Sequence, residues 1–431
     1  MDSKSSQNQS SNKITFLAIL AVSSGFFFYF YEYILRISPS VMEDELMAKF
    51  QVGAAAFGAM SVWYYYAYTP MQLIVGTIVD KIKIKYVLSI AALLCGFGTF
   101  FISMSDSFAL ACTGRFLQGL GSAFAWVGIM KLASMFLPDK YFGAVSGYGS
   151  ALGFLGAAAG QMTIGHVVAT VGWYEVLHIL AIAGIPLAII IFTLITVGSK
   201  SRNTQEVNTT AESSVIKDFF TVLKNPYIWI AGIIAELMFL PTTVFAELWG
   251  VSYFRTVYNF SIEQASNVSS MIFFGWAIGS IIVGSLSIKV RTSILLRVGS
   301  FISIFVALMM LYLPMNYYAL CAACIAFGAF SSIEVLTFAM GMSIVENRLA
   351  GTAVALVNFL CMSSGMLFQG LPGKFLELAW DGAKNAEGTP IYSVSDYKQA
   401  VTIIPIALVL CFIITLFVDD KNKRIKLFSK K

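Results

Sequence analysis

Six ionisable residues stand where the surrounding sequence is almost entirely apolar: Glu32, Arg36, Arg115, Glu236, Glu247 and Glu334. Charged groups in such settings support two kinds of chemistry. They form ion pairs that a proton or a charged solute can break, and a desolvated carboxylate can take up a proton near neutral pH. Glu32 and Arg36 are four residues apart and share one face of a helix. Glu236 and Glu247 are eleven apart; at 100° per residue they return to within about 20° of each other. Pro241 lies between them and should kink or break that helix. No nucleophile–base pair or metal cluster accompanies these groups, so neither an enzyme nor a metal or other cofactor is expected.

The elements that must position these charges are membrane helices. The chain is 58% hydrophobic and only 12% charged, with 36 Phe and 34 Gly; soluble domains carry about 25% charged residues. A bilayer core needs about 20 apolar residues per helix. The apolar runs predict twelve transmembrane helices: 14–41, 52–79, 85–104, 107–136, 141–169, 173–197, 227–257, 262–288, 292–313, 317–345, 350–378 and 399–418. The fold class is therefore all-α membrane protein. A charge at the centre of such a helix costs about 2.5–3.5 kcal/mol, so each must pair or face a wet cavity. At about 1.5 Å per residue, Glu32 lies roughly 16 Å, and Arg36 roughly 10 Å, below the Glu43–Asp44–Glu45 cluster. Arg115 lies roughly 13 Å below Asp106. One depth band holds all three, which predicts a network in which Glu32 is shared between Arg36 and Arg115.

The organisation is a tail (1–13), six helices (14–197), a polar linker (198–226), six more helices (227–418) and a basic tail (419–431). Residues 215–223 read as a short amphipathic helix on the membrane surface. Lys4, Lys13, Lys81, Lys83, Lys85, Lys140, Lys200, Arg202, Lys217, Lys224, Lys289, Arg291, Arg348 and the basic tail fall on one side; Glu43, Asp44, Glu45 and Asp106 fall on the other. The positive-inside bias makes both termini cytoplasmic, and a bacterial inner membrane is the expected location. The halves repeat: Gly76 falls on Gly284, 208 residues later, and the same step takes Lys81 to Lys289, Lys140 to Arg348, Gln161 to Gln369 and Gly165 to Gly373. Two related six-helix bundles would produce this. The net charge of +5 sits in scattered loops, so nucleic-acid binding is not expected. The six cysteines all lie in apolar runs and read as packing residues. The first apolar run is too long and aromatic for a cleaved signal and is read as the first helix.

Several motifs resemble those of the major facilitator superfamily. Gly76-Thr-Ile-Val-Asp80-Lys81-Ile-Lys83-Ile-Lys85 is similar to the family's G-x-x-x-D-[RK]-x-G-[RK]-[RK] loop, with Lys83 where the second Gly is usual. The second copy, starting at Gly284, has Ile288 in place of the acid. Gly114-Arg115-Phe-Leu-Gln118-Gly119-Leu-Gly121 resembles the R-x-x-x-G-x-G pattern. Gly149, Gly153, Gly156 and Gly160 suit close backbone approach in the fifth helix. No Pro occurs between Pro138 and Pro186, unlike the Gly-Pro pair of the drug-antiporter branch. Tyr31-Glu32-Tyr33-Ile-Leu-Arg36-Ile-Ser38-Pro39-Ser40 resembles a branch holding nutrient transporters of intracellular bacteria and the lysosomal dipeptide transporter. That dipeptide branch has a Glu where Ser122-Ala123-Phe124 stands here.

The resemblance implies two pseudo-symmetric six-helix bundles and a secondary active transporter working by alternating access. It implies that Asp80, with Lys81, latches the two halves on the basic side, and that Arg115 is linked to proton coupling. From the buried charges, proton coupling is expected at Glu32, Arg115, Glu236 and Glu334, with gating at Glu247. Substrate contact is expected at Tyr31, Arg36, Tyr65, Trp126, Glu236 and Glu334, with Trp126 and Glu334 at matched repeat positions. The expected partners are protons, the lipid bilayer and a small polar solute: an amino acid, short peptide or organic ion. The protein is expected to be a monomer. Alternatives are proton-driven export of a metabolite, siderophore or drug, and a non-transporting nutrient sensor on the same fold.

Overall fold

The computed structural model describes residues 16–138, 141–202, 215–386, 388–419 and 424–425. Residues 1–15 (with Lys4 and Lys13), 139–140 (with Lys140), 203–214 of the linker, 387, and 420–423 and 426–431 of the basic tail lie outside the described residues. Eleven segments are long and apolar enough to cross a bilayer. In chain order they are α1 (Phe16–Val41), α3 (Ile84–Met104), α4 (Phe108–Phe136), α5 (Phe142–Val171, of which Ala151–Val171 is the apolar part) and α6 (Trp173–Lys200). The second set is α7 (Pro226–Tyr258), α8 (Ile262–Leu286), α9 (Thr292–Tyr312), α10 (Tyr317–Ser343), α11 (Ala350–Ala379) and α12 (Val394–Thr415). The remaining crossing, α2, is Ala54–Met71, continued after a turn by Val75–Lys81. Its Tyr64-Tyr65-Tyr66-Ala67-Tyr68 run replaces aliphatic residues, so it is the least lipid-like of the twelve.

Helix starts follow local chemistry. The Asn225 side chain accepts from Tyr227 N (3.0 Å) ahead of Pro226 at the first turn of α7. Ser261 with Gln264, and Ser393 with Asp396, form capping boxes on α8 and α12. Two helices lose their regular winding. After Pro241, α7 becomes a π-helix through Trp249, and α10 tightens to a 3-10 turn at Ser332–Val335. The short helix Glu43–Phe50 follows α1 on the acidic face, and Val215–Leu223 is helical as its amphipathic pattern requires. That second helix is tied down by an Asp218–Arg348 ion pair of 2.5 Å.

Close packing uses glycine where two backbones touch. A Cβ on Gly328 would run into the carbonyl of Ile272, and one on Gly275 into that of Ile325, so α8 and α10 meet without side chains between them. The α5 glycines work differently from expectation. Gly153, Gly156 and Gly160 make room for Tyr29, Phe30 and Ile34 of α1, and Gly149 for Trp126 and Phe26. The stripe seats side chains rather than a second backbone.

Across the seam between the first and second six helices, α2 packs on α11 and α5 on α8. Gly58 faces Gly370, Gly373 faces Ala54, and Gly165 faces Ser266, all toward the acidic face. At mid-depth Phe154 of α5 stacks on Trp276 of α8 at 3.6 Å between ring centroids. Toward the basic face, Asn358 Nδ2 donates to Gln72 Oε1 (3.0 Å). Beyond it Gly76, Gly284 and Gly351 face open space. The seam is thus shut at the acidic face.

Candidate functional site

The i,i+4 spacing on α1 brings Glu32 and Arg36 together as expected. Arg36 Nη2 lies 3.1 Å from Glu32 Oε2 and 3.2 Å from Oε1. Tyr64 of α2 closes the group: its hydroxyl accepts from Arg36 Nε (2.9 Å) and donates to Glu32 Oε2 (3.0 Å). The guanidinium carbon sits 4.4, 4.8 and 5.3 Å from the ring centroids of Tyr33, Tyr68 and Tyr64. This is an aromatic cage, and cation–π attraction strengthens in such a desolvated place. Glu32 is 0% and Arg36 3% exposed.

The second acid on Arg36 comes from the other half. Glu247, in the π-helical part of α7, has Oε1 3.9 Å from Arg36 Nη1 and accepts a hydrogen bond from Tyr65 of α2 at Oε2. Among the described residues its Oε1 has no hydrogen-bond donor, so the contact to Arg36 is Coulombic only. Eleven regular residues would have put Glu236 and Glu247 on one face. The π segment changes the angle per residue between them, and the two acids face different helices. Glu247, expected near the outer rim, is 1% exposed.

Arg115 corrects the expected network, because it does not reach Glu32. Its Nη1 donates to Gln118 Oε1 (2.8 Å) and Leu35 O (3.1 Å), and its Nη2 to Arg36 O (3.3 Å). The cation lies 5.0 Å from the Tyr64 ring centroid, and among the described residues its Nε has no hydrogen-bond partner. Gln118 is held in turn, its Nε2 donating to Thr99 Oγ1 (2.8 Å). Arg115 therefore ties α4 to the end of α1 through neutral acceptors.

The other two acids sit in the second half against α11. Glu236 Oε1 is 2.9 Å from Ser363 Oγ, and Glu334 Oε1 is 3.1 Å from Cys361 Sγ. Neither forms an ion pair among the described residues. Ser363 Oγ also lies 2.5 Å from Leu360 O, and a hydroxyl has one hydrogen to give. When that hydrogen serves Leu360, the Ser363–Glu236 contact requires a proton on the carboxyl. Trp126, the repeat counterpart of Glu334, is half-buried and packs on Tyr29 at 5.6 Å.

Tyr31 and Asp80 each bond within the first half. Tyr31 does not join the group; its hydroxyl donates to Leu180 O of α6 (2.7 Å), joining two helices inside the first half. Asp80 does not pair across the seam in this conformation: its Oδ1 meets Lys131 Nζ of α4 at 2.7 Å, within its own half. Lys81, beside it, is exposed on the basic face. Tyr33 and Gln118 were not assigned a role from sequence. The tyrosine runs 29–33 and 64–68 were the available signal, since hydroxyls on two adjacent membrane helices need partners.

The six charges singled out from sequence are thus all buried, four carboxylates (Glu32, Glu236, Glu247 and Glu334) against two guanidinium groups. Arg36 is the hinge of the arrangement, shared between an acid of its own half and an acid of the other. A proton on either acid, or a charged group of a solute, would loosen that tie.

Among known proteins, the family description Major Facilitator Superfamily matches residues 17–369. A probable sulfoacetate transporter, SauU of Cupriavidus necator, is 26% identical over 152 residues, 35% of each chain. A probable galactarate/D-glucarate transporter, GudP of Bacillus subtilis, is 24% identical over 161 residues, 36% of this chain and 35% of that one. The aligned stretch spans about a third of the length of these relatives. In fold, the chain is similar to a bacterial homolog of the human lysosomal transporter Spinster, in an inward-facing and occupied conformation. The TM-score is 0.73 at 15% identity, covering 92% of this chain and 95% of that one. With the family match extending over most of the sequence and eleven apolar helices long enough to cross a bilayer among the described residues, the chain is a multi-pass membrane protein that belongs to the Major Facilitator Superfamily.

Proposed function

We propose that the protein is a secondary active transporter that moves a small organic ion together with a proton by alternating access. The observation that carries this reading is Arg36, held between Glu32 (3.1 Å) and Glu247 (3.9 Å) from opposite halves. Halves that rock against each other must separate Arg36 from Glu247. Protonating either carboxylate weakens the tie, which links proton binding to movement. Glu236 and Glu334, without a cation, are further proton acceptors in this reading, and Asp80 and Lys81 form the basic-face latch when that face is shut.

An acid-bearing solute is favoured by Arg115, a buried guanidinium that bonds only neutral acceptors and leaves Nε unpartnered. The names of SauU and GudP, which refer to organic anions, point the same way. An amino acid or short peptide is the second reading, favoured by Glu236 and Glu334, which could meet an ammonium group. In this proposal the protein works as a monomer in a bacterial inner membrane with both termini cytoplasmic.

The test is a thermal-shift screen of organic anions, amino acids and short peptides on purified protein, since a bound solute raises the melting temperature. Hits go to proteoliposome counterflow and then to uptake with and without an inward proton gradient. Binding without counterflow would identify a sensor instead. Counterflow without gradient-driven acceleration would reject proton coupling.

A further inference from the structure

The acidic rim holds a carboxylate that the transport scheme above does not use. Glu43, at the start of the short helix Glu43–Phe50, is 1% exposed although it lies outside the membrane-spanning segments. Among the described residues it has no cation in direct contact. Its Oε2 accepts from Ser252 of α7, and its Oε1 from Tyr397 of α12 (3.2 Å). Both donors belong to the opposite half of the molecule. The neighbouring cation, Arg255 of α7, is engaged by Asp44 at 2.6 Å. Lys49 of the same short helix donates to Ile102 O (3.1 Å) and Ser103 O (2.6 Å), which anchors the helix to α3 in the first half. The segment therefore clasps one half through Lys49 and the other through Glu43 and Asp44.

We propose that Glu43 is a second proton-binding site, separate from the mid-membrane acids, and that its protonation holds the acidic face of the transporter shut. The argument is geometric first. Opening that face must pull Glu43 away from Ser252 and Tyr397 and return it to water. In the closed arrangement its carboxylate is desolvated, meets two neutral hydroxyls and has Asp44 beside it on its own helix. The groups facing it are Asp44 from its own helix, Ser252 and Arg255 from α7, Tyr397 from α12 and Tyr392 from the preceding loop. Burial, followed by the Asp44 charge, pushes the Glu43 carboxyl up to about 8, against the lowering effects of Ser252, Tyr397 and Arg255. Burial also raises Glu45, whose Oε2 has no hydrogen-bond partner among the described residues.

The closed face binds the proton more tightly than the open one, so protons favour closure. That contribution is complete below the ordinary carboxyl range and is lost as pH rises through about 8. Elsewhere on the rim, His166 Nδ1 of α5 lies 2.6 Å from Glu263 Oε1 of α8, across the same seam. Both side chains are exposed, so water screens this pair.

The proposal rests on the alternating-access reading, which requires a state open at this face. The test uses full-length protein in lipid nanodiscs with spin labels at Ser107→Cys in the first half and Val394→Cys in the second, both exposed. The ratio of short to long rim distances is followed from pH 6 to pH 9. For a carboxyl moving from about 8 when closed to about 4.3 when open, the closed-to-open ratio falls roughly a hundredfold across that range. Glu43→Gln should remove that hundredfold fall. Tyr397→Phe, which removes a donor to the carboxylate, should move the midpoint to higher pH. A wild-type ratio that changes less than threefold overturns the proposal, as does a Glu43→Gln protein that titrates like wild type. A Tyr397→Phe midpoint that stays in place overturns it equally, should Glu43→Gln fail to fold. A single rim distance at every pH also overturns it, while counterflow judges the transport reading independently.

Discussion

Replacing Glu247 by Gln tests the tie across the seam most directly. The substitution keeps the shape and an acceptor for Tyr65, and removes one charge 3.9 Å from Arg36 Nη1. Two unit charges at that distance attract by about 4 kcal/mol at an effective dielectric of 20. Part of this offsets the desolvation that both groups suffer, and Arg36 keeps Glu32, so a net loss of about 2 kcal/mol is expected. That is roughly a thirtyfold shift away from the conformation shut at the acidic face. The readout is Ser40→Cys, since Ser40 is 1% exposed and accepts from Gln161 Nε2 inside the shut seam. Its alkylation by a polar maleimide in nanodiscs follows the open population, with the parent chain as background. Glu247→Gln should raise the labelling rate about thirtyfold. In an Arg36→Gln background the same change should add little, because the pair is already broken. A labelling rate within twofold of the Ser40→Cys parent would refute the claim that this contact holds the seam.

Other consequences are open to simpler assays. Glu334→Gln should abolish the acceleration of uptake by a proton gradient while leaving counterflow, and a gradient response equal to wild type would remove Glu334 from the coupling scheme. Asp80→Asn loses an exposed contact with Lys131, so thermal stability should change by no more than about 1 kcal/mol. Net uptake should nevertheless slow if Asp80 latches the opposite conformation; unchanged uptake would rule out that role. Gly328→Ala pushes a methyl group into the Ile272 carbonyl and should lower stability by at least about 2 kcal/mol, read as a drop in melting temperature.

The Arg115 and Tyr31 corrections show where sequence reading stops. Depth along a helix follows from counting residues, so placing Glu32, Arg36 and Arg115 in one band was sound. The direction in which Arg115 points across the bundle depends on how α4 is rotated against α1, and no count along one helix supplies that. Tyr31 and Tyr33 differ by 200° on the same helix; one meets Leu180 of α6, the other cages Arg36. The shared face of Glu236 and Glu247 failed for a local reason. Pro241 announced a disturbance, but the sequence did not say that the chain would answer with nine residues of π-helix instead of a kink.

What the sequence by itself determined is the set of properties that lipid imposes on a single segment. Twelve long apolar runs must be helices, because a backbone in hydrocarbon has to satisfy its own hydrogen bonds, and charges within those runs must find partners. The tertiary structure decided who those partners are. Arg36 shared between Glu32 and Glu247, Ser363 and Cys361 as neighbours of Glu236 and Glu334, and Glu43 enclosed by the opposite half all join residues far apart in the chain. Such pairings arise from the rotation and approach of packed helices, which depend on every side chain in the contact at once.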